Sequence, residues 1–183
     1  MSRTWTVETH STEETLDLGR RIGGAAARGD VLALVGELGS GKTRLAKGIA
    51  EGLRAATARD VVSPTFVLCR EYLDGRIPFY HFDAYRLRGA ADLEAIGAAD
   101  VFAGDGLSVV EWADRAPQAL PPDHLEVRLE VTGEQARRLT FTPRGPQAER
   151  LLAEVRAGRG AATVAAGRGG GEGCRGRTGR RRV

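Results

Sequence analysis

At 183 residues, 42% of them hydrophobic and 28% charged, the chain has one domain's worth of length and a globular composition, enough to bury a real core. No apolar run approaches a membrane span, the start lacks the apolar segment of a secretory signal, and the two cysteines, Cys69 and Cys174, are too few and too far apart for a disulfide framework or a metal knuckle. Net charge is +3 but unevenly spread: residues 157–183 hold seven Arg and one Glu, a local +6, so residues 1–156 carry about −3. The expectation is a reduced, cytoplasmic protein in which Cys69 is a small buried apolar residue.

In chain order, Thr4 to Val7 reads as a short strand, and Ser11 followed by Glu14 has the spacing of a capping box. The helix it opens carries Leu16, Leu18, Ile22, Ala25 and Ala26 as its apolar set and is expected to run to about Ala27. Its last turns should fray at Gly23-Gly24, because each glycine costs about 1 kcal/mol against alanine in a helix. Val31 to Val35 suits a buried strand, a glycine loop follows, and Leu45, Ala46, Ile49, Ala50 and Leu53 then recur at helical spacing. Beyond Ser63-Pro64-Thr65-Phe66, the runs Phe66 to Tyr72 and Ile77 to Asp83 flank the turn signal Asp74-Gly75 and predict an antiparallel hairpin.

Ala90 to Ala98 predicts a short helix, and Leu107 to Glu111 a buried central strand ending in a carboxylate. Leu125 to Val131 alternates strictly, as a strand with one wet face does; Arg138 to Thr142 should pair with it around Gly133. Pro146 to Arg156 closes the domain, residues 1–156, as a helix. Alternating helices and strands around a phosphate loop predict a three-layer α/β domain of the P-loop NTPase type with a mixed central sheet. Residues 157–183, with nine glycines and no aromatic residue, are expected to be a disordered tail, since they hold too little apolar surface to offset the entropy of ordering. Such a tail can also contact RNA phosphates directly, although without aromatic side chains to stack on bases a solvated extension is the simpler reading.

The stretch GELGSGKT, residues 36–43, fits G-x-x-x-x-G-K-[ST] at every required position. Gly36 and Gly41 let the backbone wrap where a Cβ would block the turn or the phosphate. Amides of the loop at Leu38, Gly39 and Ser40, and free N–H groups at the start of the next helix out to Arg44, then face phosphate oxygens with the helix dipole behind them. Lys42 is a point charge for the β and γ phosphates, and Thr43 a hydroxyl for Mg²⁺. Only Lys42 and Lys47 are lysines among 27 basic residues, so a lysine here marks chemistry that arginine does not serve. The motif thus implies a nucleoside triphosphate with Mg²⁺, but not what becomes of it. Catalysis needs a further acidic residue, and two follow apolar strands, where ligands of open α/β sheets collect: Asp83 and Glu111. A carboxylate at a strand end also serves as a helix cap or a surface ion-pair partner.

Taken together, GELGSGKT at 36–43, SPTF at 63–66, FYHFDAYRL at 79–87 and VVEWADR at 109–115, in that order and spacing, resemble the TsaE family over residues from about 5 to 150. That family is the ATPase component of bacterial tRNA threonylcarbamoyladenosine synthesis. The resemblance implies ATP and Mg²⁺ as cofactors, with Thr43 and Glu111 as metal ligands and Lys42 as the phosphate-binding lysine. It implies that Asp83 is the acidic residue required for hydrolysis, either orienting water or holding the metal through water. Lys42, Asp83 and Glu111 are the implied catalytic set. Ser63, Pro64, Thr65 and Phe66 fall in a mobile segment near the γ phosphate, Trp112 adjoins the metal ligand, and Thr12 lies where the N-terminal segment approaches adenine. The implied partners are TsaB and TsaD, which place a threonylcarbamoyl group on adenosine 37 of tRNAs reading ANN codons, so tRNA is reached through the complex. The chain departs from the pattern at Ala113, where the family usually has proline, which bears on the stiffness of the loop after Trp112. The Arg-Gly tail is also outside the pattern.

Two other readings share the phosphate loop. A small-molecule or nucleotide kinase needs an acceptor pocket and an arginine-rich lid, yet residues 89–107 hold acidic and small residues and no arginine. A non-hydrolysing, nucleotide-dependent RNA-binding adaptor rests on the tail. His81 reads either as a packed or capping histidine or as a catalytic one, and Arg86 as a stabiliser of phosphate charge or a carboxylate partner. Tyr85 reads as core, Phe66 as core or contact, and His10 and His124 as surface residues.

Overall fold

A computed structural model describes residues 4–64 and 68–158, within which seven strands form one sheet. The strands are β1 (Trp5–Thr9), β2 (Val31–Val35), β3 (Cys69–Tyr72), β4 (Phe79–Asp83), β5 (Leu107–Glu111), β6 (His124–Val131) and β7 (Arg137–Arg144). They lie in the order β1-β7-β6-β2-β5-β4-β3. β6, β2, β5 and β4 run parallel; β7 and β1 add antiparallel on one side and β3 on the other. The helices are α1 (Thr12–Ala25), α2 (Lys42–Gly52), α3 (Ala90–Ala95), α4 (Ala98–Phe102) and α5 (Pro146–Arg156).

β2 reads as a continuous apolar run because both its faces are covered. Leu32 and Leu34 pack with residues of α1, α2 and α5, whereas Val31, Ala33 and Val35 pack with Leu93 of α3 and Phe102 of α4. β6 alternates because only one face is covered: Leu125, Val127 and Leu129 are buried, and Arg128 and Glu130 are exposed. The mixed sheet between two helical layers is the three-layer architecture that the alternation of elements implied.

The α1–α2 pair corrects the expected fraying. α1 runs through Gly23 and Gly24 to Ala25, and Gly19 and Gly23 are buried against α2. A Cβ on Gly19 would lie 2.6 Å from the Leu45 carbonyl oxygen, and one on Gly23 2.1 Å from that of Ile49. From the other side, a Cβ on Gly48 would lie 2.3 Å from the Leu16 oxygen, and one on Gly52 2.2 Å from that of Arg20. Partner numbers rise together along both helices, so α1 and α2 run parallel with their N-termini at the same end. The intrinsic helix cost of these glycines is offset by backbone approach that no larger residue permits. At the shared end, Ser11 Oγ accepts from Glu14 N (3.1 Å) and Glu14 Oε2 accepts from His10 N (2.8 Å), a capping box displaced by one residue on its return arm.

Elsewhere the single helix expected over 90–98 is two short ones, because Gly97 takes a left-handed conformation (φ 74°) between them. The hairpin forms as expected, with β3 starting at Cys69; Thr65, Phe66 and Val67 lie outside the described residues, as does the tail from 159 onward. Cys69 is half-buried rather than buried, and desolvation pushes its thiol up to about 12. Among the described residues no helix is long and apolar enough to cross a membrane.

In an open helix, glycine to alanine gains about 1 kcal/mol. Between α1 and α2 the added methyl must force two backbones apart, and overpacking of that kind costs about 1–3 kcal/mol. Gly48→Ala is therefore expected to lower stability by about 1–2 kcal/mol, or roughly 2–8 °C in Tm. Thermal or urea unfolding reads this directly, and an unchanged or higher midpoint would overturn the close approach of the two helices.

Candidate functional site

β2, β5 and β4 end level with one another: Leu34 pairs with Glu111, and Glu111 with Asp83. The glycine loop, Trp112 and Tyr85 therefore leave the sheet side by side, at the carboxyl ends of parallel strands where ligands of such sheets bind. A cleft of about 590 Å³ opens there. One wall is the loop and the first turn of α2 (Leu38, Gly39, Gly41, Lys42, Thr43, Arg44), the floor is Asp83 and Glu111, and Ser63, Tyr85 and Trp112 form the opposite wall. Thr12 and Thr15 of α1, with Gln135 and Arg137 of the β6–β7 hairpin, complete it.

Gly39 (φ 78°) and Gly41 (φ 104°) hold backbone conformations that a Cβ disfavours. Gly41 is the N-cap of α2; no side chain caps that helix and no acidic residue stands in its first turn. α1, by contrast, is capped by Ser11 and carries Glu13 and Glu14 in its first turn. Of two parallel helix ends at this cleft, one is satisfied by its own chain and the other keeps N–H groups available to an anion. Gly36 and Ser40 support the loop from behind rather than lining the cleft. A Cβ on Gly36 would lie 2.4 Å from the Leu129 carbonyl oxygen, and Ser40 is fully buried. Leu38, 82% exposed, forms the lip.

Lys42 is buried, and its Nζ donates to the carbonyls of Gly36 (2.7 Å) and Glu37 (2.8 Å) and to Ser40 Oγ (3.3 Å). The same ammonium lies 3.7 Å from the centroid of the Trp112 ring. Desolvation lowers its pKa below the ordinary lysine value, against the opposing pull of Glu111, Asp114 and Asp83. Thr43 Oγ1 donates to Glu111 Oε2 (2.9 Å), and Glu111 Oε1 stands 2.7 Å from His81 Nε2. Asp83 accepts from Ser63 Oγ in a short hydrogen bond and from the backbone N–H of Tyr85 (2.8 Å).

Trp112 sits in the left-handed region (φ 57°), a strain of order 1 kcal/mol for a residue of this size. Its carbonyl accepts from Arg115 N, and its ring meets Tyr85 (centroids 5.0 Å apart) and the Arg115 guanidinium (5.6 Å). Ala113, standing where the resemblance expects proline, is buried and starts a 3₁₀ turn over Ala113–Arg115, so packing pins the loop that proline would stiffen.

Thr12, Leu38, Gly39, Gly41, Lys42, Thr43, Arg44, Ser63, Asp83, Glu111 and Trp112, all singled out in the sequence, meet at this cleft. Tyr85, expected in the core, is instead 40% exposed at its mouth. Arg86 is exposed and does not line it, His10 is exposed, and His124 is half-buried with Nδ1 donating to the Pro121 carbonyl (2.7 Å). Sequence reasoning missed Thr15, Gln135 and, with the largest part in building the cleft, Arg137. Its guanidinium donates to the carbonyls of Ser40 (3.1 Å) and Gly39 (3.3 Å) and to those of Gly133, Glu134 and Ala136, tying the hairpin to the glycine loop. Nothing local marks it, since it is one of two adjacent arginines at the start of an alternating strand.

The donor set suits a triphosphate: an uncapped helix end, an ammonium and a hydroxyl in a partly dry cleft. One hydroxyl and one carboxylate in contact suit Mg²⁺, which keeps waters and phosphate oxygens as its remaining ligands and needs no all-protein cage. Among the described residues no group of three or more His, Cys, Asp or Glu forms such a cage.

A family model described as threonylcarbamoyl adenosine biosynthesis protein TsaE matches residues 9–139. The tRNA threonylcarbamoyladenosine biosynthesis protein TsaE of Bacillus subtilis is 40% identical over 147 residues, covering 80% of this chain and 90% of that protein. The protein of the same description from Streptomyces coelicolor is 38% identical over 148 residues, covering 78% and 99%. The crystal structure of Bacillus subtilis YdiB matches with a TM-score of 0.72 at 34% identity, covering 86% of this chain and 97% of that one. With the family model running from β1 into β7 and relatives this similar along most of their length, the chain belongs to the TsaE family.

Proposed function

We propose that this chain is a cytoplasmic, Mg²⁺-dependent ATPase acting in the formation of threonylcarbamoyladenosine in tRNA, the process for which its relatives are named. Its partners in this reading are TsaB and TsaD, with tRNA reached through their complex. The chain does not transfer the threonylcarbamoyl group itself; its ATP cycle resets or licenses the complex. The observation that carries the proposal is the meeting of Lys42, Thr43 and Glu111, linked to one another, with Asp83 on the adjoining strand in one cleft.

Hydrolysis joins a water oxygen to the γ phosphorus and breaks the bond to the β–γ bridging oxygen, which departs on ADP with the electron pair. Lys42 binds phosphate charge where burial has already made its ammonium costly, so the attraction is stronger than in bulk water. Thr43 and Glu111, already in contact, would hold Mg²⁺, which would supply positive charge against that of the phosphates. Asp83, fixed by Ser63 and Tyr85, orients the attacking water or holds the ion through water.

The deciding measurement is ATP turnover by the full chain, alone and with TsaB and TsaD. Slow release of ADP and phosphate that rises with both partners, with no phosphorylated acceptor, is the expected result. Intact ATP in their presence would overturn the reading, and γ phosphate found on a metabolite would replace it with a kinase. Lys42→Ala removes charge-assisted contacts worth about 1.5–3 kcal/mol and should weaken nucleotide binding about 10- to 100-fold by equilibrium titration. Asp83→Ala should leave nucleotide affinity within about twofold while lowering kcat by roughly 100-fold or more, the range of a lost acid–base or water-orienting group. Glu111→Ala should raise the Mg²⁺ concentration for half-maximal activity about tenfold or more; an unchanged requirement would assign the ion to another carboxylate.

A further inference from the structure

We propose that His81 is the positioning residue for Glu111: it occupies one carboxylate oxygen from inside the sheet and so keeps the other turned to Thr43 and the cleft. This rests on the reading of Thr43 and Glu111 as the metal-binding pair.

His81 is 0% exposed and Glu111 only 2%. Strand alternation puts Phe79, His81 and Asp83 on one face of β4, and the pairing of Asp83 with Glu111 brings the imidazole beneath the end of β5. Nε2 stands 2.7 Å from Glu111 Oε1, while Oε2 accepts from Thr43 Oγ1 at 2.9 Å. A carboxylate only accepts, so the ring donates from Nε2. Nδ1 is also buried and has no hydrogen-bond partner among the described residues, so the contact to Glu111 is the one polar interaction the ring makes there. A ring present only for packing would carry this desolvated nitrogen for nothing, since an apolar side chain of similar size fills the place without that cost.

The imidazole plane is held as well. His81 stacks on Phe79 (centroids 5.8 Å, planes 16° apart), and Phe79 stacks on Tyr72 across the hairpin (5.5 Å, 24°). Glutamate has three rotatable side-chain bonds, and the nearby Lys42 ammonium attracts this one. A donor fixed at Oε1 prevents the carboxylate from turning toward that cation and leaves Oε2 aimed past Thr43. Buried donors behind a metal-binding carboxylate act in this way, and their loss costs about 10- to 100-fold in metal affinity.

The test is Mn²⁺ binding, followed by EPR, to the full chain saturated with a non-hydrolysable ATP analogue, beside affinity for the same analogue in EDTA and thermal unfolding without metal. His81→Leu should weaken Mn²⁺ binding about 10- to 100-fold and leave metal-free analogue affinity within about twofold. His81→Gln, whose amide donor sits near the Nε2 position, should restore Mn²⁺ affinity to within about threefold of the parent, whereas His81→Asn, whose donor sits near Nδ1, should behave like leucine. If His81→Leu does not fold, the Gln and Asn variants decide between them. The proposal is overturned if His81→Leu or His81→Asn binds Mn²⁺ like the parent while Glu111→Ala does not, if glutamine fails to restore binding, or if metal-free analogue affinity falls in step with Mn²⁺ affinity. Undiminished Mn²⁺ binding by Glu111→Ala would instead remove the metal-site reading itself.

Discussion

Leu34, Glu111 and Asp83 are neighbours across β2, β5 and β4 because three parallel strands are paired in one register and stop at one level. Side chains alternate along a strand, so a slip of one residue in β5 would send the Glu111 carboxylate into the layer of Leu93 and Phe102. The two apolar residues just before Glu111 hold that register, one on each face of the sheet: Val109 belongs to the core beneath α1 and α2, and Val110 to the core beneath α3 and α4. Burial on both faces is what aims the carboxylate at Thr43.

A second constraint sets the opposite wall. The glycine contacts between α1 and α2 leave no room for side chains, which locks the two helices along their length and brings Thr12 and Thr15 to the start of α2. The uncapped end of α2 therefore lies beside a capped one, and the positive ends of both helix dipoles face the same space. Arg137 closes the third side by bridging carbonyls of the glycine loop and of the β6–β7 hairpin. Segments far apart in sequence thus hold the loop from behind and from both flanks.

Within that frame the two carboxylates have different surroundings. Asp83 is bound by a hydroxyl and a backbone amide that both belong to the cleft wall, whereas Glu111 is divided between the sheet interior through His81 and the glycine loop through Thr43. Lys42 is held between loop carbonyls and the face of Trp112, a residue whose left-handed backbone is maintained by contacts with Tyr85 and Arg115. A floor of two acids under one desolvated ammonium is a region of strong local fields that water screens poorly.

The amino-acid sequence by itself determined the strands, the glycine loop with its lysine and threonine, and the two strand-end carboxylates, because each is written in a run of adjacent residues whose period or spacing answers to local backbone geometry. At Gly23-Gly24 of α1 the same locality misleads: propensity counts a glycine's cost within its own helix and contains nothing about a neighbouring helix that needs the space. The aromatic ring of Tyr85 suits a core position, yet it stands at the rim against Trp112. Arg137 and the pairing of His81 with Glu111 were not legible at all, since each joins residues brought together only by sheet order and register. Those long-range contacts, decided by the packing of strands and helices against one another, turn a phosphate-loop motif into a cleft in which lysine, threonine and two carboxylates meet.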